Sequence, residues 1–174
     1  RCRWAFFRVY LLIKTIFHKN KSSFGKRISL QGKLRIHGSV KVILHDDVII
    51  SDQVDLFTHH ATAVIEIGPR TFLNGSRIAA QKKIQIGADN IIADVRMMDT
   101  DFHWLHAQRN FETELPPAQP ILTEQNVWVA AGSAILKGSV IGKNSVIGFG
   151  SVVTGQKIPP DQVWAGSPAR FIAQ

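Results

Sequence analysis

Aliphatic residues recur at every sixth position through the last third of the chain. The column consists of Val129, Ile135, Ile141, Ile147 and Val153, and a serine stands four places after each of its first four members. Glycine or asparagine, residue types that tolerate positive φ, precedes every one of those serines. A helix repeats every 3.6 residues and a strand every two, so neither alone has a period of six. Such hexads predict a β-helix in which each hexad forms one flat side of a coil.

The same period extends, with slips, over the earlier chain. Eleven further positions keep it: Leu30, Ile36, Val42, Ile50, Leu56, Ile67, Leu73, Ala79, Ile86, Ile92 and Met98. Sixteen hexads, taken three to a turn of a triangular coil, predict an all-β domain of about five turns. An ordinary β-sandwich is disfavoured, because its alternating strands do not hold a six-residue phase through successive units.

Residues 1–27 carry a different pattern and precede the predicted β-helix domain of residues 28–174. On a helical wheel the positions from 1 to 21 form an amphipathic helix with a basic polar side. Its apolar face contains Ala5, Phe6, Val9, Leu12, Ile13, Ile16 and Phe17. Two interpretations stay open: the helix caps the open end of the coil, or it docks on an anionic membrane surface.

The charge of the chain is concentrated at one end. The net charge is +8, yet the first 45 residues hold eleven Lys or Arg and no acid, whereas the remainder holds ten basic and thirteen acidic residues. The repeats themselves are therefore slightly acidic, which argues against a nucleic-acid surface. The single cysteine, Cys2, excludes an intramolecular disulfide and is compatible with a reducing compartment.

The hexads are interrupted by a predicted excursion loop, residues 99–126. Long excursions from a regular scaffold usually serve function. Asp99, Asp101 and His103 alternate at its start, so in an extended segment their side chains point to one side. A carboxylate beside a histidine fixes its tautomer while the other ring nitrogen takes a proton. We therefore predict that His103 is a general base oriented by Asp99 or Asp101, and the pattern does not choose between the two.

The run VWVAAGSAILKGSVIGKNSVIGFGSVVTGQKIPPDQVWAGSPARFI resembles the C-terminal half of the hexapeptide-repeat acyltransferases. Within that group it is similar to the sugar O-acetyltransferases related to galactoside and maltose acetyltransferases and to exopolysaccharide-modifying enzymes. The resemblance covers roughly residues 65–172. It implies a left-handed parallel β-helix, an exception to the usual right-handed crossover, with a closing segment at 158–174. It also implies a homotrimer with active sites between the protomers and acetyl-CoA as co-substrate.

The resemblance further implies roles for single residues. The family's catalytic histidine falls on His103, its acceptor-contacting asparagine on Asn74, and the tryptophan of its pantetheine channel on Trp128. Its coenzyme contacts fall on Ala131, Phe149, Thr154 and Arg170. The chain departs from the family's sugar enzymes at the bulky Phe149 and in its basic N-terminal segment, so their acceptors are not transferred to it.

The resemblance and these observations together predict a cytoplasmic O-acetyltransferase that acts on a carbohydrate acceptor such as a bacterial surface polysaccharide or its precursor. If the N-terminal helix docks on membrane, the protein is peripheral to the inner face of the cytoplasmic membrane. One alternative is N-acetylation of an amino sugar. A second is a zinc enzyme like the γ-class carbonic anhydrases, with ligands among His59, His60, His103 and His106. The spacing of the last two does not match that family, so no metal is expected. A third alternative is a non-catalytic scaffold.

Overall fold

Short strands separated by tight corners follow one another through the computed structural model, which describes residues 22–38 and 41–174. Each strand pairs in parallel with the third strand after it, so three successive strands make one turn of a solenoid. Within the described ranges this builds three parallel sheets, and the only helix is the 3₁₀ helix Arg109–Phe111. The predicted all-β solenoid is confirmed.

The three sheets form the three faces of the solenoid. Sheet A contains β1 (Ser23–Phe24), β4 (Lys41–Leu44), β7 (Val64–Ile67), β10 (Lys83–Ile86), β13 (Ile121–Thr123), β16 (Val140–Ile141) and β19 (Lys157–Ile158). Sheet B contains β2 (Ser29–Leu30), β5 (Ile49–Ser51), β8 (Phe72–Asn74), β11 (Ile91–Ala93), β14 (Trp128–Val129), β17 (Val146–Ile147), β20 (Val163–Ala165) and the antiparallel β21 (Arg170–Ala173). Sheet C contains β3 (Lys33–Gly38), β6 (Gln53–Thr58), β9 (Arg77–Ala80), β12 (Arg96–Met98), β15 (Ala134–Leu136) and β18 (Val152–Thr154).

The core is a stack of inward-facing aliphatic side chains. All five members of the column from Val129 to Val153 are fully buried, as are Ile50, Leu56 and Leu73 of the earlier turns. Each such side chain contributes about 1.5–3 kcal/mol relative to an exposed one. The six-residue column identified in the sequence is therefore the hydrophobic axis of the solenoid.

The serine of each hexad, and the glycine or asparagine before it, lie at the corners of the solenoid. The residue before each buried serine has a positive φ between 60° and 77°; these residues are Gly132, Gly138, Asn144 and Gly150. Each serine hydroxyl then links consecutive turns. Ser139, for example, donates to the carbonyl of Leu136 at 2.6 Å and accepts the backbone N–H of Gly155 at 3.0 Å. Serine suits these positions because its hydroxyl both donates and accepts a hydrogen bond where it is buried.

The number of turns differs from the prediction. The described residues form six complete turns and two strands of a seventh, rather than about five. Four strands lacked a recognised hexad: β1, β13, β19 and β20. Strand β13 lies inside the stretch predicted as excursion, and its inward residue Thr123 is fully buried although it is not aliphatic. Ile158 of β19 follows Val153 by five residues, which breaks the period.

The inward residue was also misassigned in two strands. Ile78 and Met97 are fully buried in the core, whereas the predicted Ala79 and Met98 are register partners on the outer side of sheet C. Both strands contain adjacent apolar residues, so hydrophobicity does not distinguish the two sides there.

The predicted amphipathic helix of residues 1–21 lies outside the described residues. In the part of the chain that the structure describes, no helix combines the length and the apolar character needed to cross a bilayer.

Candidate active site

The excursion leaves the solenoid after β12 and returns at β13, at the corner where the chain passes from sheet C to sheet A (the C/A corner). Asp99 stands at its start and is fully buried. One carboxylate oxygen accepts the backbone N–H of Gln81 at 2.7 Å, and the other accepts those of Lys82 and Lys83 at 2.7 and 2.8 Å. Asp99 thus attaches the start of the excursion to the preceding turn, and His103 is not among its hydrogen-bond partners.

Asp101 is half-buried and forms an ion pair with Lys137, which follows β15 one turn further along. The excursion is therefore held from both neighbouring turns, by Asp99 on one side and by Asp101 on the other. Asp101 has no hydrogen bond to His103 either. Neither of the two carboxylates predicted to orient the imidazole contacts it within this chain.

His103 itself is exposed, and its side chain makes no hydrogen bond or ion pair with any residue that the structure describes. The preceding residue, Phe102, has φ of +61°, an uncommon conformation for an aromatic residue. Its ring contacts the ring of His59 edge to face, with 4.6 Å between centroids. Its backbone N–H donates to the hydroxyl of Thr100 at 3.3 Å. These contacts hold the backbone next to His103 and leave both imidazole nitrogens available.

The rest of the excursion is fastened by its own contacts. The indole N–H of Trp104 donates to the carbonyl of Glu114 at 2.8 Å, and His106 lies 3.1 Å from Glu112. Leu105 and Phe111 are largely exposed. The excursion is therefore a folded projection rather than an additional turn of the solenoid.

Asn74 ends β8, where the chain passes from sheet B to sheet C (the B/C corner). It lines a groove of about 600 Å³, which we call the corner groove. The lining residues are Asp52, Gln53, Asp55, Asn74, Gly75, Ser76, Arg77, Asp94 and Arg96. The side-chain amide of Asn74 has no hydrogen bond to another described residue. This free amide at the groove wall is suited to hold a polar ligand.

Asp55 is the one carboxylate of the corner groove that is already engaged. Gln53 donates to it at 2.8 Å, and Nε2 of His37 lies 3.1 Å away. Burial opposes ionisation of Asp55, but these two hydrogen bonds and the nearby charge of Arg35 outweigh it and hold its pKa below the ordinary value. Asp55 is therefore ionised at neutral pH.

Asn74 and His103 do not meet within one chain. They lie at opposite edges of sheet C, whose strands contain three to six residues. At about 3.3 Å per residue, roughly 10–20 Å of sheet separates the two edges. A ligand that touches both side chains must therefore extend across this face or lie between two copies of the chain.

The predicted coenzyme residues also divide between the two edges. Ala131 and Phe149 occupy the B/C corner on successive turns, with the N–H of Gly150 donating to the carbonyl of Ala131 at 3.0 Å. Trp128 lies on the outer side of sheet B with 49% of its surface exposed, and Phe149 is 80% exposed.

The last two predicted coenzyme residues continue this division. Arg170 opens β21 and is the register partner of Ala165, which places it near the B/C corner. Its guanidinium donates to the carbonyl of Ala169 at 3.0 Å. Thr154 ends β18 at the C/A edge, the edge that also carries His103.

Sequence reasoning missed the charged residues of the corner groove. Arg77 and Arg96 are 19 residues apart, as are Leu73 and Ile92 of the core column, so they hold the same phase on successive turns. This shared spacing of 19 residues was the feature of the sequence that could have placed the two arginines side by side. Among the described residues no three His, Cys, Asp or Glu side chains gather as metal ligands would.

Comparison with known proteins agrees with this architecture. Residues 120–155 match the family model described as bacterial transferase hexapeptide (six repeats). No curated protein sequence matches the chain. The predicted resemblance to hexapeptide-repeat acyltransferases is confirmed by this match and by the solved structures.

Three of the similar structures are acetyltransferases. The polysialic acid O-acetyltransferase OatWY is 26% identical, with 89% of this chain and 74% of that chain covered and a TM-score of 0.75. The hexapeptide-repeat acetyltransferase VCA0836 from Vibrio cholerae is 28% identical over 67% of this chain and 69% of that chain, with a TM-score of 0.58. Galactoside acetyltransferase in complex with coenzyme A is 24% identical over 95% and 70%, with a TM-score of 0.55, a likeness that shows the fold alone.

Proposed function

We propose that this protein is an acyltransferase that moves an acetyl group from acetyl-CoA to a sugar hydroxyl. The observation that carries the proposal is His103, an exposed imidazole without a partner among the described residues, at the point where the excursion leaves a hexapeptide-repeat solenoid. The similarity to OatWY, a polysialic acid O-acetyltransferase, supports both the reaction and a carbohydrate acceptor. VCA0836 has also been solved with acetyl coenzyme A, which supports the donor.

The chemistry needs one proton transfer and one acyl transfer. One nitrogen of the His103 imidazole takes the proton of the acceptor hydroxyl as that oxygen attacks the thioester carbonyl. The carbon–sulfur bond then breaks, the acetyl ester remains on the sugar, and the imidazolium returns its proton to the thiolate. No covalent bond to the enzyme is required, and a positioned general base of this kind contributes about 10²–10⁴-fold.

We further propose that the site is completed between protomers of a homotrimer. His103 and Thr154 mark the C/A edge of sheet C, and Asn74, Ala131 and Phe149 mark the B/C corner. In a threefold arrangement in which sheet C of each protomer faces the axis, the C/A edge of one solenoid would meet the B/C corner of its neighbour. That arrangement would bring the base of one copy to the acceptor amide of the next.

Membrane contact is a separate proposal that rests on the sequence of residues 1–21. The six cations of this segment are Arg1, Arg3, Arg8, Lys14, Lys19 and Lys21. Each cation near an anionic leaflet contributes about 1 kcal/mol. We expect the full chain to sediment with vesicles containing anionic lipid and to be released by salt. Equal sedimentation with neutral vesicles would leave only the capping-helix interpretation.

Replacement of His103 tests the proposed function. We expect His103→Ala to lower acetyl-CoA turnover by roughly 10²–10⁴-fold while acetyl-CoA affinity and oligomeric state stay unchanged. His45→Ala is a matched control, because His45 lies at the corner between sheets A and B, across sheet A from the excursion, and pairs with Glu66 at 3.0 Å.

Release of coenzyme A with a panel of surface-polysaccharide fragments is the readout. Release of the product acetyl group by hydroxylamine distinguishes an ester from the amide that N-acetylation would form. A His103→Ala variant that keeps more than about a tenth of wild-type turnover would exclude His103 as the base.

A further inference from the structure

Two unpaired arginines stand side by side in the corner groove. Arg77 and Arg96 open neighbouring strands of sheet C and are register partners, so their backbones are about 4.8 Å apart. Like charges directly opposite each other destabilise a sheet. The guanidinium of Arg77 lies 4.3 Å from the ring centroid of Phe57. Within the described part of the chain, neither guanidinium has an ion-pair partner. The arrangement is therefore stabilised when an anion lies between the two.

The carboxylate on the neighbouring strand of sheet C does not fill this place. Asp55 is the register partner of Arg77 on the other neighbouring strand. Its carboxylate is turned to Gln53 and His37 instead, at 2.8 and 3.1 Å. Both arginines consequently border the open groove without a carboxylate partner among the described residues.

The lining residues at the B/C corner give the corner groove a second kind of chemistry. The carboxylates of Asp52 and Asp94 and the amide of Asn74 border the B/C corner there. None of these side chains has a hydrogen-bond partner among the described residues. Carboxylates and amides accept hydrogen bonds from hydroxyl groups, whereas a guanidinium fork matches a carboxylate. The corner residues therefore suit sugar hydroxyls, whereas the two arginines suit an anionic group.

We propose that the corner groove binds an acceptor sugar that carries a carboxylate, with Arg77 and Arg96 binding the carboxylate and Asn74, Asp52 and Asp94 binding hydroxyls. This inference rests on the proposed function and names the class of its acceptor. Acidic sugars combine both kinds of group on one ring, which matches the division of the groove. A neutral sugar would leave the two arginines unpaired.

Equilibrium binding tests the inference independently of catalysis. The probes are oligomers of galacturonic acid and of sialic acid, each compared with its counterpart in which the carboxylates are reduced to alcohols. We expect at least one acidic oligomer to bind wild-type protein about tenfold or more tightly than its reduced form. We also expect that preference to weaken as salt is added.

Arg96 is the residue to replace, because its exposed side chain makes no hydrogen bond, ion pair or ring contact with another described residue. Arg96→Gln should weaken binding of the acidic oligomer by about 10- to 100-fold, without effect on the reduced one. Arg96→Lys should restore part of the loss, since it keeps the charge and loses the fork. Lys41→Gln is the control: it removes an exposed cation from sheet A, outside the corner groove, and should change binding less than twofold.

The outcomes separate this inference from the proposed function. Equal binding of acidic and reduced oligomers, or no binding of either, would overturn the inference even if the reduced sugar is acetylated. A sugar phosphate that competes better than the carboxylate would overturn it in favour of phosphate recognition. A loss of trimer in Arg96→Gln would show that the pair contacts a second copy instead. Binding of the acidic oligomer that depends on Arg96, without consumption of acetyl-CoA, would uphold the inference and contradict the proposed function.

Discussion

Replacement of Asp99 by asparagine distinguishes a structural carboxylate from one that orients the catalytic base. Asparagine is nearly isosteric and keeps one oxygen, which can still face the N–H groups of Lys82 and Lys83. Its NH₂ group must then face the N–H of Gln81, so one buried donor is left opposite another donor. The remaining two hydrogen bonds lose the negative charge that strengthened them.

The cost can be worked from these contacts. An unsatisfied buried donor costs about 1–3 kcal/mol, and two bonds that change from charged to neutral acceptors lose about 0.5–1.5 kcal/mol each. We therefore expect Asp99→Asn to lower the free energy of unfolding by about 2–6 kcal/mol. For a chain of this length that corresponds to a fall in Tm of roughly 4–24 °C.

Thermal and urea unfolding of the purified protein measure this effect, with kcat determined well below the Tm of both variants. Asp101→Asn is the control, because the partly exposed pair of Asp101 with Lys137 contributes about 1 kcal/mol or less. The structural role of Asp99 predicts a large loss of stability and nearly unchanged kcat. Unchanged stability with a large fall in kcat would refute it and support the sequence-based prediction that Asp99 orients His103.

Two further predictions concern Trp128, which is a predicted coenzyme contact, and the ion pair between Arg70 and Asp89 at the corner between sheets A and B. Trp128→Ala should raise the KM for acetyl-CoA more than that for the acceptor with little change in Tm, because half of the indole surface is exposed; a lower Tm with both KM values unchanged would assign Trp128 to packing. Arg70 donates hydrogen bonds of 2.6 and 2.8 Å to Asp89, and these lower the pKa of that carboxyl. Because the pKa of Asp89 is lower in the folded than in the unfolded chain, its ionised carboxylate stabilises the fold at pH values above its unfolded-state pKa of about 4. This stabilisation is lost as the pH falls through the folded-state pKa. The stability difference between wild type and Asp89→Asn, measured by urea unfolding, should therefore be constant near neutral pH and disappear in acid; a difference that persists there would contradict the ion pair as its source.

The sequence alone determined the solenoid and its axis. The column from Val129 to Val153 could be identified because one buried side chain per flat side is a local requirement, repeated at each hexad. The corner glycines followed for the same reason, since each tight corner needs its own residue with positive φ. The period did not identify the inward residue where two apolar residues are adjacent, as at Ile78 and Ala79. It also missed strand β13, whose buried inward residue is Thr123 rather than an aliphatic residue.

The position of His103 was likewise readable, because a break in a strict repeat marks where the chain leaves the scaffold. The contacts of the neighbouring carboxylates could not be predicted from the sequence. Asp99 meets backbone groups 16 to 18 residues away, and Asp101 meets Lys137, because stacking places successive turns side by side. The alternation of Asp99, Asp101 and His103 predicted a shared face only for an extended segment.

Only the tertiary structure decided how the site residues are distributed. Three flat sides of short strands make a triangular cross-section, and its width separates Asn74 from His103. The same stacking brings Arg77 and Arg96 together across 19 residues and joins them to Asp52 and Asp94 around one groove. A period of six specifies which side chains point inward. Which outward side chains become neighbours depends on how the turns stack, and slips between hexads shift that register without changing the core pattern.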